Sequence, residues 1–258
     1  MTRASIFATT ATLVLLSPLA VNAAVIRVTE DNFTAAAGKL TFSEFAVGTE
    51  NPVYAPADYG GGADSPTVYT GGYFTGQSIS PNPGTDCPGA SPTGCVIGSP
   101  TGPLSLDASA PPAFITTDGA FPTSPTLSGT PRFNGPVALL FSEDQTGVGF
   151  EAGYFDAVGS TGITAFARDG SILGTVVNTT TGIEFLGLVT DDLKPAIAGV
   201  FLDLVGNEPA GYNIDNVRFG VGDEIIPPII SPVPLPAALP LSLAGLGAIA
   251  LFRRRKDA

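Results

Sequence analysis

Residues 163–177 read Ile-Thr-Ala-Phe-Ala-Arg-Asp-Gly-Ser-Ile-Leu-Gly-Thr-Val-Val, and this stretch decides the fold. Two runs rich in β-branched and apolar residues flank Asp169-Gly170, a pair that accepts the positive φ angles of a two-residue type I′ hairpin. Alternation predicts a half-buried strand, with Ile163, Ala165 and Ala167 on one face and Thr164, Phe166 and Arg168 on the other. Outward from the hairpin the grammar repeats. Short β-branched or aromatic runs at 137–142, 146–154, 162–168, 171–177, 183–189, 198–205 and 212–219 are separated by Gly, Asp, Asn or Thr turns. That spacing predicts an all-β, antiparallel β-sandwich. In the last run Ile214, Asn216 and Arg218 are expected to oppose Asp215, Val217 and Phe219.

The preceding half is looser. Strands are expected at 25–28, 40–47, 68–70, 73–79 and 113–116, and one short helix at 31–39 with Asp31 or Asn32 as its cap. Residues 80–112 and 118–136 are dense in Pro, Gly, Ser and Thr and read as long surface loops. The 258 residues include 32 Gly and 24 Pro, more than a fifth of the chain, which excludes long helical architecture. No internal repeat is evident.

Composition also excludes chemistry. Histidine and tryptophan are absent and there are two cysteines. A His-dependent triad, His-ligated zinc or haem, and a cysteine-rich zinc module therefore lack their side chains.

The termini read as addresses. Arg3, an apolar run from Ile6 to Leu19 and the small or aliphatic Val21-Asn22-Ala23 form a secretory signal peptide over 1–23, cleaved after Ala23 or, as the alternative, Ala24. The translocon and signal peptidase are its expected partners. A secreted domain then spans 24–226, followed by a Pro-rich linker at 227–234. From Leu235 to Phe252 run 18 uncharged residues, about 27 Å as a helix, enough to cross a bilayer core of about 30 Å. Arg253, Arg254, Arg255 and Lys256 would stay on the cytoplasmic side of this single transmembrane segment, 235–258.

A Pro motif, a short apolar span and a terminal basic cluster together resemble the PEP-CTERM sorting signal, and Val233-Pro234-Leu235-Pro236-Ala237 is similar to its VPLPA variant. The likeness covers roughly the last 26 residues. It implies a Gram-negative bacterial protein, a transient stay in the inner membrane, and recognition by an exosortase. Cleavage near the Pro motif and release to the cell surface or exopolysaccharide matrix would follow. Pro234-Leu235-Pro236 stands in place of Pro-Glu-Pro, so a variant-matched exosortase is expected.

The body resembles the jelly-roll domains found with this signal. The residues that carry the likeness are Thr41-Phe42-Ser43-Glu44-Phe45, Asp169-Gly170, Glu184-Phe185-Leu186-Gly187 and Ile214-Asp215-Asn216-Val217-Arg218-Phe219-Gly220. The resemblance implies a jelly-roll-like, galactose-binding-like or carbohydrate-module-like sandwich.

Between the addresses, residues 24–232 carry six basic and 22 acidic side chains, a net charge of −16. Such a surface repels phosphate backbones, so nucleic acid is not an expected partner. It suits an extracellular protein and can gather divalent cations. Cys87 and Cys95 bound a nine-residue loop. In an oxidising compartment this pair is expected to form a disulfide. The alternative, a redox pair, lacks Cys-x-x-Cys spacing and a nearby activating cation.

Two sites are suggested. Glu44 and Asp215, on the first and last strands of the resemblance, could offer oxygens to a structural calcium; the alternative is a solvated Glu44 and an Asp215 that caps a turn. Tyr54 and Tyr59, beside the Asp58–Asp64 glycine-rich stretch, could stack on sugars; ordinary packing is the alternative. Gly147-Val148-Gly149 has no following helix and is not a dinucleotide loop. Carboxylate pairs such as Glu143 with Asp144 or Glu151 with Asp156 would serve glycan hydrolysis only at set separations. Taken together, the sequence reads as a non-enzymatic exported surface or matrix protein with no required cofactor. A calcium-dependent exopolysaccharide-binding module is the alternative, and a carboxylate-dependent glycan hydrolase a second one.

Overall fold

The computed structural model describes residues 24–118 and 124–228. The predicted signal peptide, the sorting motif Val233-Pro234-Leu235-Pro236-Ala237, the apolar span and the Arg253-Arg254-Arg255-Lys256 cluster lie outside these residues. Among the described residues no helix is long and apolar enough to cross a membrane.

Among the described residues eight short strands come first: β1 (Val25–Val28), β2 (Gly38–Leu40), β3 (Val53–Tyr54), β4 (Val68–Gly71), β5 (Gln77–Ile79), β6 (Val96–Gly98), β7 (Phe114–Thr117) and β8 (Pro125–Ser128). The regular half follows with β9 (Val137–Gln145), β10 (Gly147–Phe155), β11 (Thr161–Phe166), β12 (Ile172–Val177), β13 (Gly182–Thr190), β14 (Ile197–Leu204) and β15 (Asn213–Gly220). All seven strands expected in this half are present, because β-branched and aromatic residues there alternate between turn residues that end each run.

These strands form two large antiparallel sheets. One runs β1-β13-β10-β15-β8-β7 with β2 also paired to β15; the other runs β12-β11-β14-β9-β4-β3. Their facing sides share one apolar core. Val148, Phe150, Leu186, Leu188, Val217 and Phe219 from the first sheet meet Leu139, Phe141, Ile163, Ala165, Val200 and Leu202 from the second. This is an all-β sandwich. A two-stranded β5-β6 ladder stands apart from both sheets.

The outer face of the second sheet is covered as well, which is why β11 is buried along its whole length. Tyr73, Phe74 and Leu104, from the long excursion between β4 and β7, pack on Phe166, Ala198 and Phe201. The strand expected to be half-buried is thus interior on both faces, that of Thr164 and Phe166 included. On the first sheet, Val28, Phe33, Ala37, Val189 and Ile225 form a smaller outer cluster.

Five local expectations are corrected. The 163–177 hairpin exists, but its turn has three residues: Ala167 N–H donates to Ser171 O and Gly170 N–H to Ala167 O. Only Gly170 takes a left-handed φ, 86°. That is a type I turn closed by a glycine bulge, which draws Arg168 out of the strand. Arg168 then binds Asp144 at 2.6 Å and Phe141 O at 2.8 Å, tying the turn to β9.

The expected helix at 31–39 is a single 3₁₀ turn, Glu30–Asn32. Pairing of Gly38–Leu40 with β15 claims the rest. Gly38 lies so close to the Phe219 ring that an added Cβ would sit 2.3 Å from it. The strand expected at 40–47 leaves the sheet after Leu40, because Phe42 adopts a left-handed φ of 58°.

Strict alternation fails in β15. Between Gly149 and Glu151 of β10, β15 advances from Arg218 to Asp215, one residue more. The extra residue is taken up at Asn216, φ 49°. Ile214, Val217 and Phe219 therefore all reach the core. The segment 118–136, expected as loop, contains β8, whose Leu127 pairs with Ile214.

The Cys87–Cys95 disulfide is present, with Cα atoms 5.8 Å apart and both cysteines buried. Its loop follows a helical turn, α1 (Pro83–Asp86), and leads into β6.

Candidate functional site

The bulge in β15 builds the most chemically distinctive place on the sandwich. It brings Asp215 opposite Glu151 on the neighbouring strand. Asn216 Nδ2 donates to Glu151 Oε2 at 2.7 Å, and Asn216 N–H to Asp215 Oδ1 at 2.7 Å. Ser124 Oγ donates to Asp215 Oδ2 at 3.1 Å. Asn213 Nδ2 bridges Asp118 Oδ2 at 3.1 Å and Thr126 Oγ1 at 2.7 Å. Asp118, Thr126, Glu151, Asn213 and Asp215 line one small pocket together with Tyr154 and Ile183. Both apolar rim residues are exposed, Tyr154 at 56%.

Burial pushes the Asp215 carboxyl up to about 6, and the negative charge of Glu151 adds to the rise. The Asn216 N–H, the Ser124 hydroxyl and Lys39 oppose it. The pocket thus offers a carboxyl that keeps its proton into mildly acid conditions, a second carboxylate, an amide and an exposed phenol ring. Donors and acceptors beside an aromatic face are the chemistry of sugar recognition.

Glu44 belongs to a different set. Its Oε1 accepts from Thr41 N–H at 3.3 Å and Thr41 Oγ at 2.9 Å, closing the turn that follows β2; its Oε2 is buried with no hydrogen-bond partner. Among the described residues no group of three or more His, Cys, Asp or Glu could hold a metal ion. Glu44 and Asp215 thus keep separate hydrogen-bond partners, Thr41 for the first and Ser124 and Asn216 for the second.

The tyrosines suggested for sugar contact are occupied otherwise. Tyr54 is 0% exposed, wedged edge-on against Phe42 and Phe45 with ring centroids 6.0 and 5.0 Å away. Burial, and after it the charges of Glu44 and Asp58, raise its hydroxyl pKa. No surface ligand reaches it. Tyr59 is half-buried; its hydroxyl donates to Pro66 O and its ring meets Phe219 edge-on at 5.2 Å. Burial pushes the Tyr59 hydroxyl up to about 12. Tyr59 forms one wall of a broad polar cleft shared with Lys39, Glu143 and Arg218.

Tyr154 escaped the sequence reading because its partners depend on strand register, which one sequence does not display. The cue that existed was a tyrosine at the end of an otherwise glycine-rich and apolar run. No protein-family model, curated protein or solved structure matches this chain.

Proposed function

We propose that this chain is an exported, non-enzymatic β-sandwich protein of the bacterial surface or extracellular matrix, routed there by the C-terminal signal its tail resembles. The observation that carries the reading is the Cys87–Cys95 disulfide, a small covalent ring of the kind that persists in oxidising compartments. The net charge of −16 over residues 24–232 supports it. Strand order supports the jelly-roll likeness: β8-β15-β10-β13 faces β9-β14-β11-β12, eight consecutive strands shared between two sheets. The test is fractionation of a host with a matching exosortase. The intact chain should reach the surface or matrix fraction, and a chain lacking residues 233–258 should not.

A second reading, carbohydrate binding, is favoured by the pocket at Glu151, Asp215 and Tyr154. Retention on a glycan array that is lost in Tyr154→Ala would establish it, and loss of retention on chelation would show that it depends on calcium; no retention of the wild type would exclude it.

A further inference from the structure

Glu208 sits in the connection between β14 and β15 and is 0% exposed. Its Oε2 accepts from Asp156 N–H at 2.9 Å and from Ser160 Oγ at 2.8 Å. Asp156 returns the grip, its Oδ2 accepting from Ala210 N–H at 3.2 Å. The Glu208 main-chain oxygen accepts from Ser91 N–H at 2.8 Å, inside the disulfide ring. Nearby, an added Cβ on Gly89 would sit 2.8 Å from Asn207 Oδ1, and one on Gly94 2.7 Å from the Leu204 side chain. One residue therefore joins three connections: the disulfide loop, the β10–β11 link and the β14–β15 link.

The charge balance around this residue is unfavourable to an anion. Glu208 Oε1 is buried with no hydrogen-bond partner. The described ion pairs are Arg27–Glu184, Arg168–Asp144 and Lys194–Asp192, and none supplies it with a cation. The titratable groups facing it are Asp156 from the β10–β11 link and Tyr212 at the start of β15. The disulfide loop contributes the Ser91 main chain. An ionised carboxylate here is desolvated and faces another carboxylate, while a protonated one relieves both penalties. Burial pushes the Glu208 carboxyl up to about 7, the Asp156 charge and carboxyl contact adding to the rise against the Asp156 N–H and Ser160 hydroxyl.

We propose that Glu208 is a proton-operated latch: protonated, it holds the disulfide loop and the two neighbouring connections closed; ionised, it loosens them. The closed form binds a proton more tightly than the open form, whose glutamate titrates near 4.5. Closure therefore weakens as pH rises from about 4.5 to about 7 and is constant above that.

Hydrogen exchange of the intact protein, read by mass spectrometry on peptides covering 87–95, 156–160 and 205–212 and corrected for intrinsic rates, tests this. Protection should fall by up to about tenfold per pH unit across that window and then level off. Glu208→Gln should give a flat profile in these peptides, with the remaining peptides unchanged. Asp156→Asn keeps Glu208 but removes the facing charge, so its midpoint should move to lower pH. A flat wild-type profile, or an unaltered slope in Glu208→Gln, overturns the latch. Should Glu208→Gln not fold, an unmoved midpoint in Asp156→Asn overturns it.

Discussion

Asn216 holds Glu151 across the β10–β15 pair, Nδ2 to Oε2 at 2.7 Å, from a backbone φ of 49° that opposes the usual L-residue preference. One residue thus makes the bulge and positions a carboxylate. Asn216→Ala should lower unfolding free energy by about 2–3 kcal/mol, combining a lost bond to a carboxylate with left-handed strain. Asn216→Gly removes the strain but not the loss, so it should recover about 1 kcal/mol of that deficit. Urea midpoints of the two variants check this; equal midpoints would show that the φ angle carries no cost.

Stability should fall as the solution is brought from about pH 4 to pH 6. Asp215 titrates at about 6 when folded against 3.8 as the ordinary value, so the folded state holds the extra proton within that window. Stability gained by this group is full below pH 3.8 and is lost through pH 6. Asp215→Asn should flatten this part of the profile in denaturant titrations at stepped pH.

Tyr54 is buried with an unpartnered hydroxyl. Tyr54→Phe should be neutral or stabilising, since the change removes a desolvated polar atom and leaves the ring in place. Tyr54→Ala should cost about 3–5 kcal/mol, through loss of the ring packed on Phe42 and Phe45. Calorimetric melting of both variants separates packing from hydrogen bonding.

The Cys87–Cys95 bridge closes a ring with a sequence separation of 8. Replacing both cysteines by serine should lower stability by roughly 2–3 kcal/mol, the amount expected for a short loop. The loss should concentrate in the 87–95 segment, where exchange protection would drop first.

The sandwich was legible in the sequence because alternation and turn residues act locally, and the seven strands from Val137 to Gly220 lie where those cues place them. What escaped depends on partners distant in sequence. Pairing with β15 pulls Gly38–Leu40 into a strand despite the helix-like Thr34-Ala35-Ala36-Ala37. The bulge at Asn216 puts Ile214 and Val217, expected on opposite faces, on the same one. Tyr54 and Tyr59 look alike in composition, yet one is sealed in the core and the other lines a cleft. Glu151 and Asp215 are 64 residues apart, and only register makes them neighbours. The disulfide was readable because proximity in sequence already kept its cysteines close.

The most direct test of export and sorting is the intact mass of the protein recovered from its native host. Removal of the first 23 residues, loss of the residues after about Pro236 and a mass two hydrogens below the dithiol form are the predicted result. A full-length polypeptide with both termini intact and Cys87 and Cys95 reduced would contradict the account.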